Sequence, residues 1–332
     1  MQINTFFDFC SGIGAGRLGL EQCGLTCVGH SDTSRLADTT YRILHGADVD
    51  KNYGNLKRLK GQELPQFDVL IAGFPCQTFS VIGRQEGFSD DRGQIIFHLS
   101  RLLRETRPKC FILENVKGLV THDGGKTIKT ILKELDESGY ITSYRVISSM
   151  DCGVPQNRQR VYFIGFDKTL NLDVTRFNWP QPVQPPQLKD FLIDEDNYPS
   201  EIDIQYFLNY LKNPTNIVRK YSLNDFLNEE YLILDTRMND MRLYRNKVPT
   251  LRAQRDGIFY VRDHKLHYLS GYEALMLQGF PKAYADRVKG VVSNRHLLMQ
   301  AGNAMTVNVI QMLGTQIIKL FEEEQYGTVV KI

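Results

Sequence analysis

Short apolar runs, stopped by glycine or polar residues and separated by amphipathic stretches, set the pattern of the first half of the chain. Residues 3–9 read as a first strand. It leads into the turn Ser11-Gly12-Ile13-Gly14-Ala15-Gly16 and a helical stretch over 17–23. A second strand is expected over 26–30. The segment 42–64 reads as loop-rich, and the run Phe67-Asp68-Val69-Leu70-Ile71-Ala72 is a third strand. Its short, unbroken apolar character is that of a parallel strand buried on both faces. Further strands are expected over 110–113 and 161–166, with a short run at 144–147 before the latter. Helices are expected over 95–105, with Ile96, Leu99, Leu102 and Leu103 apolar, and over 127–138, with Ile128, Ile131, Leu132 and Leu135 on one face. Buried strands alternating with such helices predict an α/β fold.

The second half is organised differently. The run from Trp179 to Pro186 is a proline-rich linker. Residues 187–235 are mixed, and 237–265 turn basic, with Arg237, Arg242, Arg245, Lys247, Arg252 and Arg255 interleaved with Tyr244, Phe259 and Tyr260. Asp256-Gly257, between 248–252 and 258–261, predicts a hairpin turn. A short helix from Tyr272 closes at Gly279 and Pro281. Gly302-Asn303-Ala304 then opens a long helix with Val307, Ile310, Leu313, Ile317, Leu320 and Phe321 on one stripe. That stripe needs a sheet to cover. The expected division is therefore a first domain over 1–183, an insertion over 184–265, and a segment over 266–332 that packs back on the first domain.

Composition narrows the class without naming a function. The 332 residues can bury a large core, and 42% hydrophobic with 23% charged content is ordinary for a globular chain. A net charge of +2 leaves only the local basic stretch as a nucleic-acid signal. No apolar run approaches the ~18 residues of a membrane span and no signal peptide is evident, so a cytoplasmic protein is expected. The six cysteines lack zinc-type spacing, and no metal site is expected.

The candidate chemistry gathers at strand ends, where open α/β sheets bind their ligands. Cys76, in Gly73-Phe74-Pro75-Cys76-Gln77, stands just past the third strand, and a deprotonated thiol is a strong nucleophile. The polar stretch 83–93 is a candidate lid. The glycine turn suits close backbone approach to a ligand. Asp32, at the end of the second strand, is placed either to accept from ribose hydroxyls or to cap the following helix. Glu114, in Glu114-Asn115-Val116, can reach the same crevice or serve as an ion-pair partner. Arg158 and Arg160, at strand-like spacing, should project to one side and suit phosphate or carbonyl oxygens.

Together these stretches resemble the DNA (cytosine-5)-methyltransferases of bacterial restriction–modification systems. The resemblance rests on Asp8-Phe9-Cys10-Ser11-Gly12-Ile13-Gly14, Gly73-Phe74-Pro75-Cys76-Gln77-Thr78-Phe79-Ser80, Glu114-Asn115-Val116, Gln156-Asn157-Arg158-Gln159-Arg160 and Gly302-Asn303-Ala304, in the family's order. It implies a Rossmann-like sheet, S-adenosyl-L-methionine as methyl donor and an inserted target-recognition domain. Cys76, Glu114, Arg158 and Arg160 would be catalytic. Cys10, Ser11, Gly12, Ile13, Gly14, Asp32, Thr33, Asn55, Leu56, Pro75, Ile95, Asn303 and Ala304 would face the donor. Ser80, Arg84, Thr250, Arg252 and Arg255 would contact double-stranded DNA. Cys10 and Thr33 are small where the family places larger groups around the adenine, and Asn55 stands where it has an acid. The small pair leaves a modified sulfonium donor as an alternative. The resemblance also implies a monomer, and a cognate endonuclease linked genetically rather than physically. A tRNA cytosine methyltransferase and a non-catalytic DNA-binding protein of the same fold stay open.

Overall fold

The computed structural model describes residues 2–46, 51–74, 94–237, 240–253 and 257–327. The chain forms two compact units. One comprises Met1–Cys152, Gln159–Pro182 and Ala304–Ile332, the other Gly153–Arg158 and Val183–Asn303.

The first unit is built on β1 (Thr5–Phe9), β2 (Thr26–Ser31), β3 (Val69–Gly73), β4 (Cys110–Val116), β5 (Tyr140–Ser148) and, beyond β6 (Gln156–Asn157) of the other unit, β7 (Gln159–Asp167). The sheet order is β2-β1-β3-β4-β7-β5. The first four are parallel, and β7 runs antiparallel to both of its neighbours. Helices α1 (Ala15–Glu21), α2 (Arg35–His45), α3 (Ile95–Thr106) and α4 (Lys126–Glu137) belong here, together with the C-terminal helix Val307–Gly327. Leu70, Ala72, Phe111 and Leu113 from the sheet pack with Leu99, Leu102 and Leu103 of α3 and Ile131 and Leu135 of α4. On α1, Gly19 lets the C-terminal helix come close. A Cβ there would lie 2.7 Å from Ile310 Cβ and 2.8 Å from the Val307 carbonyl oxygen. The apolar stripe expected on that helix is buried in full.

Three expectations change here. The loop expected from residue 42 starts later, because α2 continues to His45 with Tyr41 and Leu44 buried. Its polar outer face hides the period. Its N-cap is Ser34, whose side chain accepts from Ala37 N at 3.2 Å, so Asp32 is not the cap. The run at 144–147 is part of the longer strand β5.

The second unit carries helices α5 (Glu201–Leu211), α6 (Pro214–Val218) and α7 (Leu223–Leu227). These are followed by β8 (Ile233–Thr236), β9 (Met241–Tyr244), β10 (Val248–Pro249), β11 (Ile258–Arg262) and β12 (Lys265–Tyr268). Helices α8 (Gly271–Leu277), α9 (Lys282–Val288) and α10 (Asn294–Asn303) complete it, so the C-terminal helix is α11. The antiparallel order β12-β11-β8-β9 covers a core of Phe207, Phe226, Leu234, Met241, Phe259 and Val261. Asp256 of the expected Asp256-Gly257 hairpin lies outside the described residues; among the described residues β10 pairs with β6 in parallel, and β11 pairs with β8 and β12. Asp263-His264 closes the β11–β12 hairpin, with φ of 52° and 56°, the left-handed pair a tight two-residue turn needs. The return to the first unit, expected at 266, comes at Ala304, because α8 and α10 pack on each other within the second unit. Gly302-Asn303-Ala304 is accordingly a joint between two helices rather than the start of one.

Candidate active site

The glycine turn after β1 is held from its own unit. Cys10 adopts φ 51°, Gly12 56° and Gly14 80°. Gly14 N donates to the Ser11 carbonyl at 2.8 Å, and Ser11 N to the Ser31 carbonyl at 3.2 Å. Asp32 Oδ2 accepts from Gly12 N at 2.8 Å and its Oδ1 from Ser34 N at 2.8 Å. A carboxylate has about four lone-pair sites, and the described residues occupy two of them. Ser11 Oγ is buried with no partner among the described residues, and a Cβ at Gly12 would meet nothing. Ile13 is buried, while Thr33 is exposed. Asn55 is half-buried, and its side-chain oxygen accepts from Lys57 N at 3.0 Å. Leu56 and Ile95 are buried in the core and Ala304 lies buried in this unit. Asn303, exposed, belongs to the second unit.

Glu114 follows from sheet register. Near the end of β4 it is opposite Gly73 of β3 and Tyr162 of β7, and Val116 is opposite Arg160. That register brings Arg160 Nε to 3.1 Å from Glu114 Oε1, with the side chains 13% and 10% exposed. The guanidinium therefore lies beside the carboxylate in a nearly dry setting. Gly73 keeps space open beside it: a Cβ there would be 3.6 Å from Glu114 Oε2 and 3.3 Å from Met305 Cγ. Asn115 Nδ2 donates to the Phe74 carbonyl at 3.2 Å and so braces the strand end that leads to Cys76. Pro75, Cys76, Ser80 and Arg84, with the candidate lid, lie outside the described residues, as does Arg255.

Four of the described cysteines have thiols raised above the ordinary value and are poor nucleophiles. Burial, then the carboxylates of Asp32 and Asp8, push the Cys10 thiol up. Burial likewise raises Cys23 and Cys110, and pushes Cys152 up to about 12.

Arg158 does not share a side with Arg160. The strand breaks at Arg158, which falls in the second unit while Gln159 begins β7 in the first. There its guanidinium is buried, donating to the Leu251 carbonyl at 2.9 Å and the Gly302 carbonyl at 3.3 Å. Gln156, fully buried, accepts from Leu251 N at 3.1 Å and donates to the Leu277 carbonyl at 2.8 Å. Thr250 Oγ1 donates to the Asn157 carbonyl. Segment 153–158 thus sets the path of Thr250-Leu251-Arg252. Arg252 is half-buried. Burial and neighbouring Arg237 hold its pKa below the ordinary arginine value, with Tyr244 opposing and Arg242 adding to the shift. Arg237 is itself paired with Asp235 at 3.1 Å, and Arg242 lies 4.0 Å from Asp240. Reading the sequence singled out neither Gln156 nor Gly302 individually, although both sit in the stretches that carried the resemblance.

A family model described as C-5 cytosine-specific DNA methylase matches residues 4–319. The type II methyltransferase M.BsuFI of Bacillus subtilis is 34% identical over 322 residues, covering 92% of this chain and 70% of that protein. M.HhaI of Haemophilus parahaemolyticus is 30% identical, covering 94% and 93%. In fold, the chain is similar to the methyltransferase EhMeth of Entamoeba histolytica, with a TM-score of 0.70 at 17% identity, covering 98% and 99%. Sequence likeness across both units, with β1 and its glycine turn in the first and the Gln156–Arg158 segment in the second, makes this chain a member of the C-5 cytosine-specific DNA methylase family.

Proposed function

We propose that this chain methylates C5 of a flipped-out cytosine in a short duplex DNA sequence through a covalent bond between Cys76 and C6. The observation that carries the reading is the Glu114–Arg160 pair beside Gly73, at the end of the strand that leads to Cys76. S-adenosyl-L-methionine, when bound, supplies the electrophilic methyl group on a sulfonium that C5 takes. The turn fits such a ligand. Among the described residues, Ser11 Oγ is a buried hydroxyl with no partner, Gly12 leaves open space, and Asp32 keeps acceptor capacity. Asp32 would accept from the ribose hydroxyls and Asn55 from the adenine amino group, with Leu56, Ile95 and Ala304 supplying apolar surroundings.

The chain's own residues do the rest. The Cys76 thiolate adds to C6, and the electron pair of the C5–C6 double bond becomes available at C5. Glu114 accepts from N4 and stabilises the N3-protonated ring, while Arg160 donates to O2; both act on charge that develops in the adduct. Loss of the C5 proton returns electrons to the ring and expels the thiolate. Inert thiols at Cys10, Cys23, Cys110 and Cys152 support leaving the nucleophile's role to Cys76. Arg158 holds the recognition segment rather than the base. A stacked cytosine is out of reach, so the base must leave the duplex. Phosphate and base contacts fall to Thr250, Arg252 and the basic second unit, with Ser80, Arg84 and Arg255 as further contacts. The protein acts as a cytoplasmic monomer on DNA, paired genetically with an endonuclease.

Duplex DNA carrying 5-fluorocytosine tests the reading. Fluorine cannot leave as a proton, so the protein with donor should be trapped as an adduct on a denaturing gel, and Cys76→Ala should abolish it. Adducts on tRNA alone, or none on a broad duplex pool with folded, donor-competent protein, would overturn it.

A further inference from the structure

Asn52 lies on the short segment between α2 and Asn55, bridged in parallel to His30 of β2. Its Oδ1 accepts from two backbone donors, Asp32 N at 3.1 Å and Gly54 N at 2.8 Å. Its Nδ2 donates to Asp38 Oδ1 at 3.0 Å. Asp38 is itself fixed on α2. It takes Nε2 of the buried His30 at 3.2 Å on the same oxygen and Arg42 Nε at 3.2 Å on the other. Ser31 Oγ adds a 2.6 Å bond to the Gly54 carbonyl. One amide therefore ties the backbone of Asp32 to the residue preceding Asn55, and is anchored behind by half-buried Asp38 and the buried His30. Both lone pairs of the amide oxygen are used by the protein, so it has none to offer a ligand.

We propose that Asn52 is a positioning residue for the methyl donor, fixing the spacing between Asp32 at the ribose and Asn55 at the adenine. The inference rests on the donor-site reading given above. Fixing two acceptors before the ligand arrives removes ordering cost from binding and leaves the chemical step untouched. Burial favours a protonated Asp38, but hydrogen bonds from His30, Arg42 and Asn52 outweigh it and hold the carboxyl below its usual range. Asp38 therefore remains a full acceptor for the Asn52 amide.

The test is titration calorimetry with S-adenosyl-L-methionine and its demethylated product, alongside steady-state methylation. Wild type and Asp32→Ala come first. No binding by wild type, or unchanged binding by Asp32→Ala, overturns the donor-site reading itself. With that reading standing, Asn52→Leu should weaken donor binding and raise the donor KM about tenfold. Its kcat at saturating donor and its duplex affinity should stay within about twofold, because uniform binding alone is lost. Donor affinity equal to wild type overturns the inference. Should Asn52→Leu fail to fold, a donor–acceptor exchange decides. Asn52→Asp faces Asp38 with a second carboxylate and should bind donor weakly. Adding Asp38→Asn restores an amide-to-carboxylate bond and should recover affinity to within about threefold of wild type. A double variant as weak as Asn52→Asp overturns the inference.

Discussion

Replacing Gly302 by alanine puts a methyl group where the backbone of Arg252 and Ala253 already lies. A Cβ there would stand 2.8 Å from the Arg252 carbonyl oxygen and nearer still to Arg252 C and Ala253 N. Carbon contacts settle at about 3.5 Å or more, so the two backbones must part by roughly 1 Å. Neither can yield as a flexible side chain would. Arg158 spans the same gap, holding the Leu251 and Gly302 carbonyls at 2.9 and 3.3 Å. A 1 Å separation breaks one of these bonds. Overpacking costs about 1–3 kcal/mol and a lost charge-assisted bond about 1.5–3, so a total near 3 kcal/mol is expected for Gly302→Ala. Arg158→Lys, which can serve one carbonyl, should cost about 2 kcal/mol. Because both changes strike one clamp, the double variant should fall short of additivity by about 1 kcal/mol or more. Urea unfolding followed by circular dichroism gives these values, and filter binding should show duplex affinity at least tenfold lower. A Gly302→Ala protein within about 0.5 kcal/mol of wild type, or strict additivity with Arg158→Lys, would refute the argument.

Glu114→Gln keeps the shape but loses the charge that pairs with Arg160, and single-turnover methylation should slow by about 10²–10³ with duplex binding retained; a slowing of less than threefold would contradict the role given to it. His267 is buried between Tyr198 and Tyr260, and burial, reinforced by Arg262, depresses its pKa below 6.5. The unfolded chain therefore binds this proton first, so the stabilisation is present above pH 6.5 and is lost as pH falls through the lower folded value. His267→Phe should flatten that acid limb in urea midpoints taken from pH 7.5 to 5, and an unchanged slope would sink the assignment.

Much of the first unit was legible because its signals are local. Val69 to Ala72 form an apolar run too short for a helix, and Leu99, Leu102 and Leu103 recur on one helical face. Glu114 and the glycine turn were legible for the same reason, each sitting where a strand ends. What the sequence hid depends on tertiary competition. The side shared by Arg158 and Arg160 presumed an unbroken strand, whereas Val248-Pro249 captures Gln156-Asn157 and ends it. Asp256-Gly257 matched a turn pattern, but among the described residues β11 pairs with β8 and β12. Asn52 gave no sign because its role rests on groups 14 and 20 residues distant that fold beside it.

The division of the chain bears on how such a protein could exchange specificity. Residues 153–158 leave the first unit, fasten themselves to 248–252, 277–278 and 302, and return. A cassette cut at the proline-rich linker and at residue 265 would leave Gln156 and Arg158 behind, facing carbonyls of a foreign loop at the wrong height. Recombination that carries 183–303 together with six upstream residues keeps donors and acceptors matched. Grafts between relatives should therefore succeed as split modules, and hybrid junctions inside that boundary should be selected against even where the exchanged loop is itself intact.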